Sequence, residues 1–365
     1  MFLDSFLIVF VAFIISFYSL PIIIKIANKY SIYDEPNHIK KHSNKISYLG
    51  GISIMFSFLI AIQLFRPDYI KRPEYSSTYL IILNIIFFYG LGDDIFNFKP
   101  IKKLIIQLLL TSILIIKTNI YIPLENISPL LDSNISIIIT ILFITAITNS
   151  INLIDGADGV AGTLSLISAI YFSIIFYFDN NWFYFIISIS LIGTLIGFLL
   201  FNFPKAYIYM GDSGSLFIGM LLATLSLIFI KGHLSTTSIN NYNFNQRIII
   251  GISSLTIPIL DMGRLILYRA YKGRKIYVGD NNHIHHLLKN IGLNKKQVVF
   301  FLTIGQLILI STSMLSIDKP LIIFILINCS FYLIAIQVIL QLGNYKKSIK
   351  KADIQITNLE NRHIL

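Results

Sequence analysis

The feature that most constrains this chain is a series of apolar stretches that runs through nearly its whole length. Eleven of them lie near residues 2–24, 47–65, 76–92, 103–117, 135–151, 160–178, 182–203, 213–231, 247–268, 297–316 and 320–342. A helix needs roughly 20 apolar residues to cross a bilayer. Only 13% of the 365 residues are charged, about half the share in soluble domains. The sequence therefore predicts an all-α integral membrane protein with about 11 transmembrane helices and excludes a nucleic-acid-binding domain.

The distribution of lysine and arginine predicts how the chain is oriented. Of these 29 residues, 22 fall in alternate loops and in the tail. Cytoplasmic loops collect lysine and arginine, so the N-terminus is predicted outside and the C-terminus in the cytoplasm. Residues 1–342 then form a polytopic membrane domain with cytoplasmic active-site loops, and residues 343–365 form a polar cytoplasmic tail. The net charge of +11 is attributed mainly to the basic residues that set the orientation in the membrane.

Rare polar residues collect on the same predicted side. They are Asp93 and Asp94 after the third stretch, Asn152, Asp155 and Asp158 after the fifth, Asp212 after the seventh, and His283, His285 and His286 after the ninth. Unrelated helix caps and turns would fall on both sides about equally. One shared cytoplasmic site is therefore predicted. For Asp212 taken alone, a role as a helix N-cap is as well supported as a role in the site.

The residue types indicate the chemistry of this site. Carboxylates and an amide oxygen without thiolates suit Mg²⁺ or Mn²⁺, and lysine, arginine and histidine side chains can hold phosphate oxygens. Together they favour phosphoryl transfer. A zinc site is the rival interpretation of the histidines, but these lie too close in sequence to supply three ligands easily. Asp261 and Arg264 are intramembrane charges and hence functional suspects, with a local ion pair favoured for Arg264.

Several motifs then resemble one family, and they occur in its order along the chain. They are Asp34 to His42 with Gly50-Gly51, Gly92-Asp93-Asp94, Asn149 to Gly159, Met210 to Leu216, Pro258 to Asp261, and His283-Ile284-His285-His286. The chain resembles the polyprenyl-phosphate N-acetylhexosamine-1-phosphate transferases of the glycosyltransferase 4 type. It looks most like the bacterial undecaprenyl-phosphate GlcNAc-1-phosphate transferases that start O-antigen, enterobacterial common antigen or teichoic-acid linkage synthesis.

The resemblance implies a ten- or eleven-span enzyme of the bacterial inner (plasma) membrane with a cytoplasmic active site. It implies transfer of a sugar 1-phosphate from a UDP-N-acetylhexosamine to undecaprenyl phosphate within membrane lipid, with release of UMP and with Mg²⁺ or Mn²⁺ as cofactor. A homodimer stays open, as does the choice between direct attack and a covalent aspartyl intermediate.

It also implies a role for each matching residue. Asp212 is expected to bind the metal with Asn152 near it, and Asp93 and Asp94 are the expected catalytic acids, one of which deprotonates the lipid phosphate. The expected substrate-binding residues are Asp155, Asp158, Lys103, Arg269, His283, His285 and His286.

Three alternatives remain at this point. The histidine motif resembles the GlcNAc branch, but Asn281 stands where a basic residue is usual, so a modified UDP-N-acetylhexosamine donor stays open. Asp155 and Asp158-Gly159 begin like the signature of CDP-alcohol phosphatidyltransferases, which then fails at Gly162 and Thr163. A secondary transporter would place its ionisable residues near the bilayer midplane, whereas these acids lie at the predicted inner boundary.

Overall fold

A computed structural model describes residues 2–33, 46–64, 76–128, 130–232, 242–275 and 282–363. The motif from Asp34 to His42 and Asn281 lie outside the described residues. The helices are α1 (Phe2–Tyr30), α2 (Gly50–Leu64), α3 (Ser76–Phe96), α4 (Pro100–Thr118), α5 (Ser133–Ile154), α6 (Val160–Phe178), α7 (Trp182–Asn202), α8 (Gly211–Lys231), α9 (Phe244–Ser253), α10 (Thr256–Tyr271), α11 (Ile284–Asn290), α12 (Lys295–Leu315) and α13 (Leu321–His363). An isolated β-bridge pairs Ser47 with Ile208.

The apolar stretches all fold as helices, which confirms the all-α prediction. Eight described helices are long and apolar enough to cross a membrane, or nine if α9 and α10 form one span. Backbone groups in hydrocarbon have no water to bond, and a helix satisfies them internally. The chain is therefore a multi-pass membrane protein, whereas the count of eleven stays a prediction. The two other predicted spans are α2, with 15 residues, and α4, which carries three lysines.

Helix α8 forms the centre of the bundle. Every residue from Ser213 to Ile230 is buried, and α2, α3, α5, α6 and α9 pack around it. Small residues let neighbouring backbones approach closely. A Cβ atom on Gly90 of α3 would lie 2.7 Å from the backbone oxygen of Asp212, and one on Gly51 of α2 would meet the backbone of Gly214. These glycines bring α2 and α3 against the first turn of α8.

The span predicted near 247–268 is divided into α9 and α10, which meet at an angle of 85°. Pro258 lies in the first turn of α10, where its missing N–H costs no helical hydrogen bond. Side chains of other helices satisfy the backbone at the break: Ser168 donates to the Ser254 carbonyl at 2.7 Å, and Gln306 bonds both Ser254 and Ile257. Such a break is stable in a membrane because surrounding protein supplies its partners.

Gly90→Ala should lower the free energy of unfolding by about 1–3 kcal/mol, since the added methyl group would press on the backbone of α8. The measurement is the thermal unfolding midpoint in detergent. Gly263→Ala is the matched control, because a Cβ there would meet nothing within 4 Å, and alanine stabilises a helix by up to about 1 kcal/mol relative to glycine. Equal effects of both variants would contradict the close packing of α3 on α8.

Candidate active site

The predicted site residues lie at one end of the helix bundle. This end, called the site face below, is where α3, α5, α7 and α10 end and where α4, α6, α8 and α12 begin. Side-chain contacts join these helix ends across the bundle, including Lys103 with Asp212, Asp158 with Lys295 and Asn202 with Gly159. Every predicted site residue is among those described, and each lies at the site face.

Lys103 forms the centre of the first group of side chains. Its ammonium lies 2.5 Å from Oδ2 of Asp212 and also contacts Oδ2 of Asp93. The Asp93 side chain is buried, whereas those of Lys103 and Asp212 are each 27% exposed. Lys103 comes from the start of α4 and the aspartates from the end of α3 and the start of α8, so three helices meet at one cation.

Asn152 engages the other oxygen of Asp212. Its Nδ2 donates to Oδ1 of Asp212 at 2.7 Å and to the hydroxyl of Ser215 at 2.8 Å. Both Asp212 oxygens are thus held, one by an amide and one by an ammonium. Asn152 lies on the last turn of α5, which fixes the position of the turn that follows.

Asp94 binds backbone rather than Lys103. Its Oδ1 accepts from the N–H of Asp212 at 2.7 Å and its Oδ2 from the N–H of Ser213 at 3.0 Å. These N–H groups belong to the first turn of α8, which lacks helical acceptors for them. Asp94 therefore caps α8 from a different helix and orients Asp212.

Gln107 and Asn149 form a second contact between α4 and α5, one turn deeper in the bundle. The Asn149 amide donates to Oε1 of Gln107 at 2.5 Å and to the carbonyl of Thr145. Asn149 belongs to a predicted motif, but Gln107 was missed. Gln107 is fully buried, but a single uncharged amide one helical turn after Lys103 does not stand out in the sequence.

The turn between α5 and α6 is tied to three other elements. Asp158, which is 6% exposed, pairs with Lys295 at the start of α12 and accepts from the N–H of Ala206. Asn202 accepts from the N–H of Gly159 at 2.8 Å, where a φ of 77° favours glycine. Asp155 is half-buried at the C-cap of α5. In the sequence, Lys295 is one of the basic residues that indicate topology, and nothing there predicts its contact with Asp158.

The three histidines stack against this turn. The rings of His283 and His285 lie 5.6 Å apart and nearly parallel, and those of His285 and His286 lie 4.3 Å apart. His285 is fully buried, and among the described residues neither of its ring nitrogens has a hydrogen-bond partner. A Cβ on Gly156 would lie 2.8 Å from its Nε2. Glycine at this position leaves room for the imidazole.

Arg269 is buried near the end of α10, at 4% exposure. It lies on the same helix as Asp261 and Arg264, which form an ion pair of 2.9 Å. The pair favoured by the sequence for Arg264 is therefore present. Asp261 also forms a hydrogen bond with His283, so the ion pair is in direct contact with the histidine stack.

The first group fits a divalent cation in its donor chemistry. Asp93 and Asp212 already share one cation, the Lys103 ammonium, and hard oxygen ligands are those that Mg²⁺ and Mn²⁺ prefer. Within the described part of the chain, no three His, Cys, Asp or Glu side chains are grouped so as to hold a metal ion. An ion here would accordingly take its other ligands from water and substrate, as Mg²⁺ commonly does.

The stack also predicts a pH dependence of stability. Burial lowers the pKa of His285 well below its usual value of 6.5, and His286, His283 and Lys289 lower it further. The unfolded chain binds this proton near pH 6.5 and the folded chain does not. The free energy of unfolding should therefore fall as the pH decreases below about 6.5, by at most about 1.4 kcal/mol per pH unit from this group.

His285→Asn should remove this contribution, so its unfolding free energy should depend less on pH between about 5 and 6.5. The measurement is chemical unfolding in detergent at several pH values, with the wild-type protein as reference. Parallel curves for the two proteins would show that His285 does not carry this pH dependence.

Fold and site together define a class: a multi-pass membrane protein with a cluster of acidic, basic and histidine side chains at one end of its bundle. The family model described as glycosyl transferase family 4 matches residues 76–230, a range that includes α3 to α8 and the whole first group. The chain belongs to this family.

Curated relatives match over most of their length. The chain is 30% identical over 302 residues to a probable undecaprenyl-phosphate N-acetylglucosaminyl 1-phosphate transferase of Bacillus subtilis, covering 79% of each chain. It is 29% identical to the undecaprenyl-phosphate α-N-acetylglucosaminyl 1-phosphate transferase of Haemophilus influenzae, covering 81% of this chain and 82% of the relative. It is also 29% identical to a decaprenyl-phosphate N-acetylglucosaminephosphotransferase of Mycobacterium leprae, covering 80% and 78%.

Proposed function

We propose that this protein transfers N-acetylglucosamine 1-phosphate from UDP-N-acetylglucosamine to undecaprenyl phosphate and releases UMP. The observation that carries the proposal is the contact of two carboxylates, those of buried Asp93 and partly exposed Asp212, with the Lys103 ammonium. The relatives of this chain bear the activity in their names. Transfer between two phosphate groups requires neutralisation of negative charge, and this group combines an ammonium with donors for a divalent cation.

The bond changes in the proposed reaction are those of one displacement. An oxygen of the lipid phosphate attacks the phosphorus that bears the sugar, and the bond from that phosphorus to the bridging oxygen breaks. The bridging oxygen leaves with UMP. The product is the sugar joined to the lipid through a diphosphate.

Each member of the first group has a proposed part in this step. Asp93 accepts the proton of the lipid phosphate, and Lys103 neutralises phosphate charge while it holds Asp93 and Asp212 together. Mg²⁺ held by Asp212, with Asn152 near it, would supply further charge neutralisation. Asp94 keeps the first turn of α8 in place. Direct attack is favoured because a deprotonated phosphate monoester is itself a nucleophile.

The turn between α5 and α6, the histidine stack and Arg269 are proposed to bind the donor. Asp155 and Asp158 lie on a turn against the histidine stack, and Arg269 lies on the helix that holds His283. We assign the nucleotide to the turn and the donor phosphates to His283 and Arg269. Since Asn152 is four residues before Gly156, the donor and the first group would lie within one small region.

The site face is proposed to lie in the cytoplasm of the bacterial plasma membrane. In the sequence, 22 of the 29 lysine and arginine residues fall on the predicted side that also carries the site residues, as expected for a cytoplasmic side. Counting α2, α4 and the joined α9 and α10 as spans would give eleven crossings. An odd number, with the C-terminus in the cytoplasm, supports the proposal that the N-terminus lies outside.

The test uses purified protein in lipid nanodiscs with UDP-N-acetylglucosamine, undecaprenyl phosphate and Mg²⁺. UMP should be released only when donor and acceptor are both present, and removal of the cation with a chelator should stop the release. Parallel reactions with other UDP-N-acetylhexosamines and with a CDP-alcohol test the donor class. No UMP from any UDP-N-acetylhexosamine would refute the proposal, and CMP release would favour a phosphatidyltransferase.

A further inference from the structure

The last helix, α13, contacts the bundle through a narrow stripe. Phe324, Asn328, Tyr332 and Ile336 are buried and recur every fourth residue, the spacing of one helix face. The residues between them are mostly exposed and apolar, as expected for a lipid-facing surface. Two members of the stripe are polar. Asn328 faces Thr312 and Ser313 of α12, and Tyr332 reaches α10.

The side chain of Tyr332 contacts the carboxylate of Asp261. Its hydroxyl donates to Oδ1 of Asp261 at 2.8 Å, where Nη2 of Arg264 donates at 2.9 Å and the N–H of Ile284 at 3.1 Å. Oδ2 lies 2.9 Å from Nδ1 of His283. Asp261 is 2% exposed and Tyr332 is 3% exposed, so these contacts are shielded from water.

This arrangement determines how His283 presents its ring. A carboxylate at Nδ1 favours a proton on that nitrogen and leaves Nε2 for a ligand. The second contact of Asp261, to the N–H of Ile284, fixes the backbone beside the ring. His283 in turn stacks on His285, which lies against Gly156. A continuous series of contacts thus leads from α13 to the turn after Asn152.

We infer that Tyr332 is a positioning residue for the transfer reaction, acting through Asp261 to hold His283 in the orientation that binds a phosphate of the nucleotide-sugar donor. The inference rests on the proposed function, because that function supplies the donor. It gives α13, which lies outside the range matched by the family model, a part in donor binding. The phenol hydroxyl carries this role, and the aromatic ring only fills its place in the stripe.

Tyr332→Phe removes this hydroxyl and keeps the ring. A hydrogen bond to a charged group is lost, so the KM for the UDP-sugar should rise about tenfold, whereas the KM for the lipid phosphate should stay unchanged. Tyr345→Phe is the matched control, since it removes a phenol hydroxyl from an exposed position of the same helix. The inference would be overturned if the KM values for the UDP-sugar and the lipid phosphate both rose, or if neither rose.

A double variant tests whether Tyr332 acts through His283. His283→Gln should raise the donor KM, and adding Tyr332→Phe to it should cause little further rise, because the residue being positioned is already gone. If the two substitutions acted independently, the rise in donor KM of the double variant would be the product of the two single rises. That result would assign Tyr332 a general role in packing and contradict the inference.

The tautomer of His283 can be measured without turnover. In protein labelled with ¹⁵N-histidine, His283→Gln identifies the His283 signals, which in the wild type should show a protonated Nδ1. Tyr332→Phe should shift these signals, and Tyr345→Phe should not. If the wild type releases no UMP while the signals behave as expected, the proposed function fails and the positioning contact stands. Unshifted signals would refute the contact itself.

Discussion

Asp212→Asn should lower the rate of UMP release by at least about a hundredfold, because it removes a charge that the reacting phosphates and their cation require. In the wild type, one oxygen of Asp212 faces the Lys103 ammonium and the other faces the Asn152 amide. An asparagine can accept only one of these contacts well, since its own amide would oppose a donor. The measurement is kcat at saturating donor and acceptor, with the dependence on Mg²⁺ recorded for both proteins.

The control for this prediction is Asp318→Asn. Asp318 is exposed, and its Oδ1 accepts from Gln246 at 2.8 Å at the opposite end of the bundle. This variant removes the same charge far from the site face, so its rate should stay near that of the wild type. A rate near that of the wild type for Asp212→Asn as well would remove Asp212 from the reacting group.

Much of the fold could be predicted because hydrophobicity alone places the helices. Each apolar stretch is helical in the described residues, and most ends differ by a few positions. The last helix is the exception, because α13 continues beyond residue 342 to His363.

The division of the ninth stretch could not be predicted. Ser253, Ser254 and Pro258 weaken a helix at this point, but the sequence does not show the size of the bend. The geometry of the break depends on Gln306 and Ser168, which lie on helices distant in sequence.

The candidate site was partly visible in the sequence because charged residues are rare in an apolar chain. Aspartates and histidines stand out there, but single uncharged residues such as Gln107 and Tyr332 do not. Lys295 was visible and was explained by topology alone. A residue in a basic loop carries no sign of its partner, and its pairing with Asp158 depends on how α12 packs.

Adjacent Asp93 and Asp94 show where sequence reasoning stops. Neighbouring residues on a helix point about 100° apart, so the two carboxylates cannot share one environment. Asp93 faces Lys103, whereas Asp94 faces the start of α8. The motif gives both residues the same expected catalytic role, and only the helix packing separates a group beside the proposed cation from one that holds backbone.

Asp94→Asn should therefore lower both stability and activity. The carboxylate accepts two N–H groups from the first turn of α8, where helix N–H groups stabilise negative charge. An asparagine amide would turn a donor toward one of these N–H groups. We expect a loss of about 2–3 kcal/mol in the free energy of unfolding and a rate of UMP release lower by at least about a hundredfold, because Asp212 and Lys103 lose their alignment.

Asp132→Asn separates this role from ordinary capping. Asp132 caps α5 by accepting from the N–H of Ile135 at 2.9 Å at an exposed position, and asparagine caps helices about as well as aspartate. Its stability and rate should stay near wild-type values. A large loss of rate in Asp94→Asn with an unchanged unfolding midpoint would instead identify Asp94 as a group that takes part directly in the reaction, since a cap cannot be removed from a buried helix start without loss of stability.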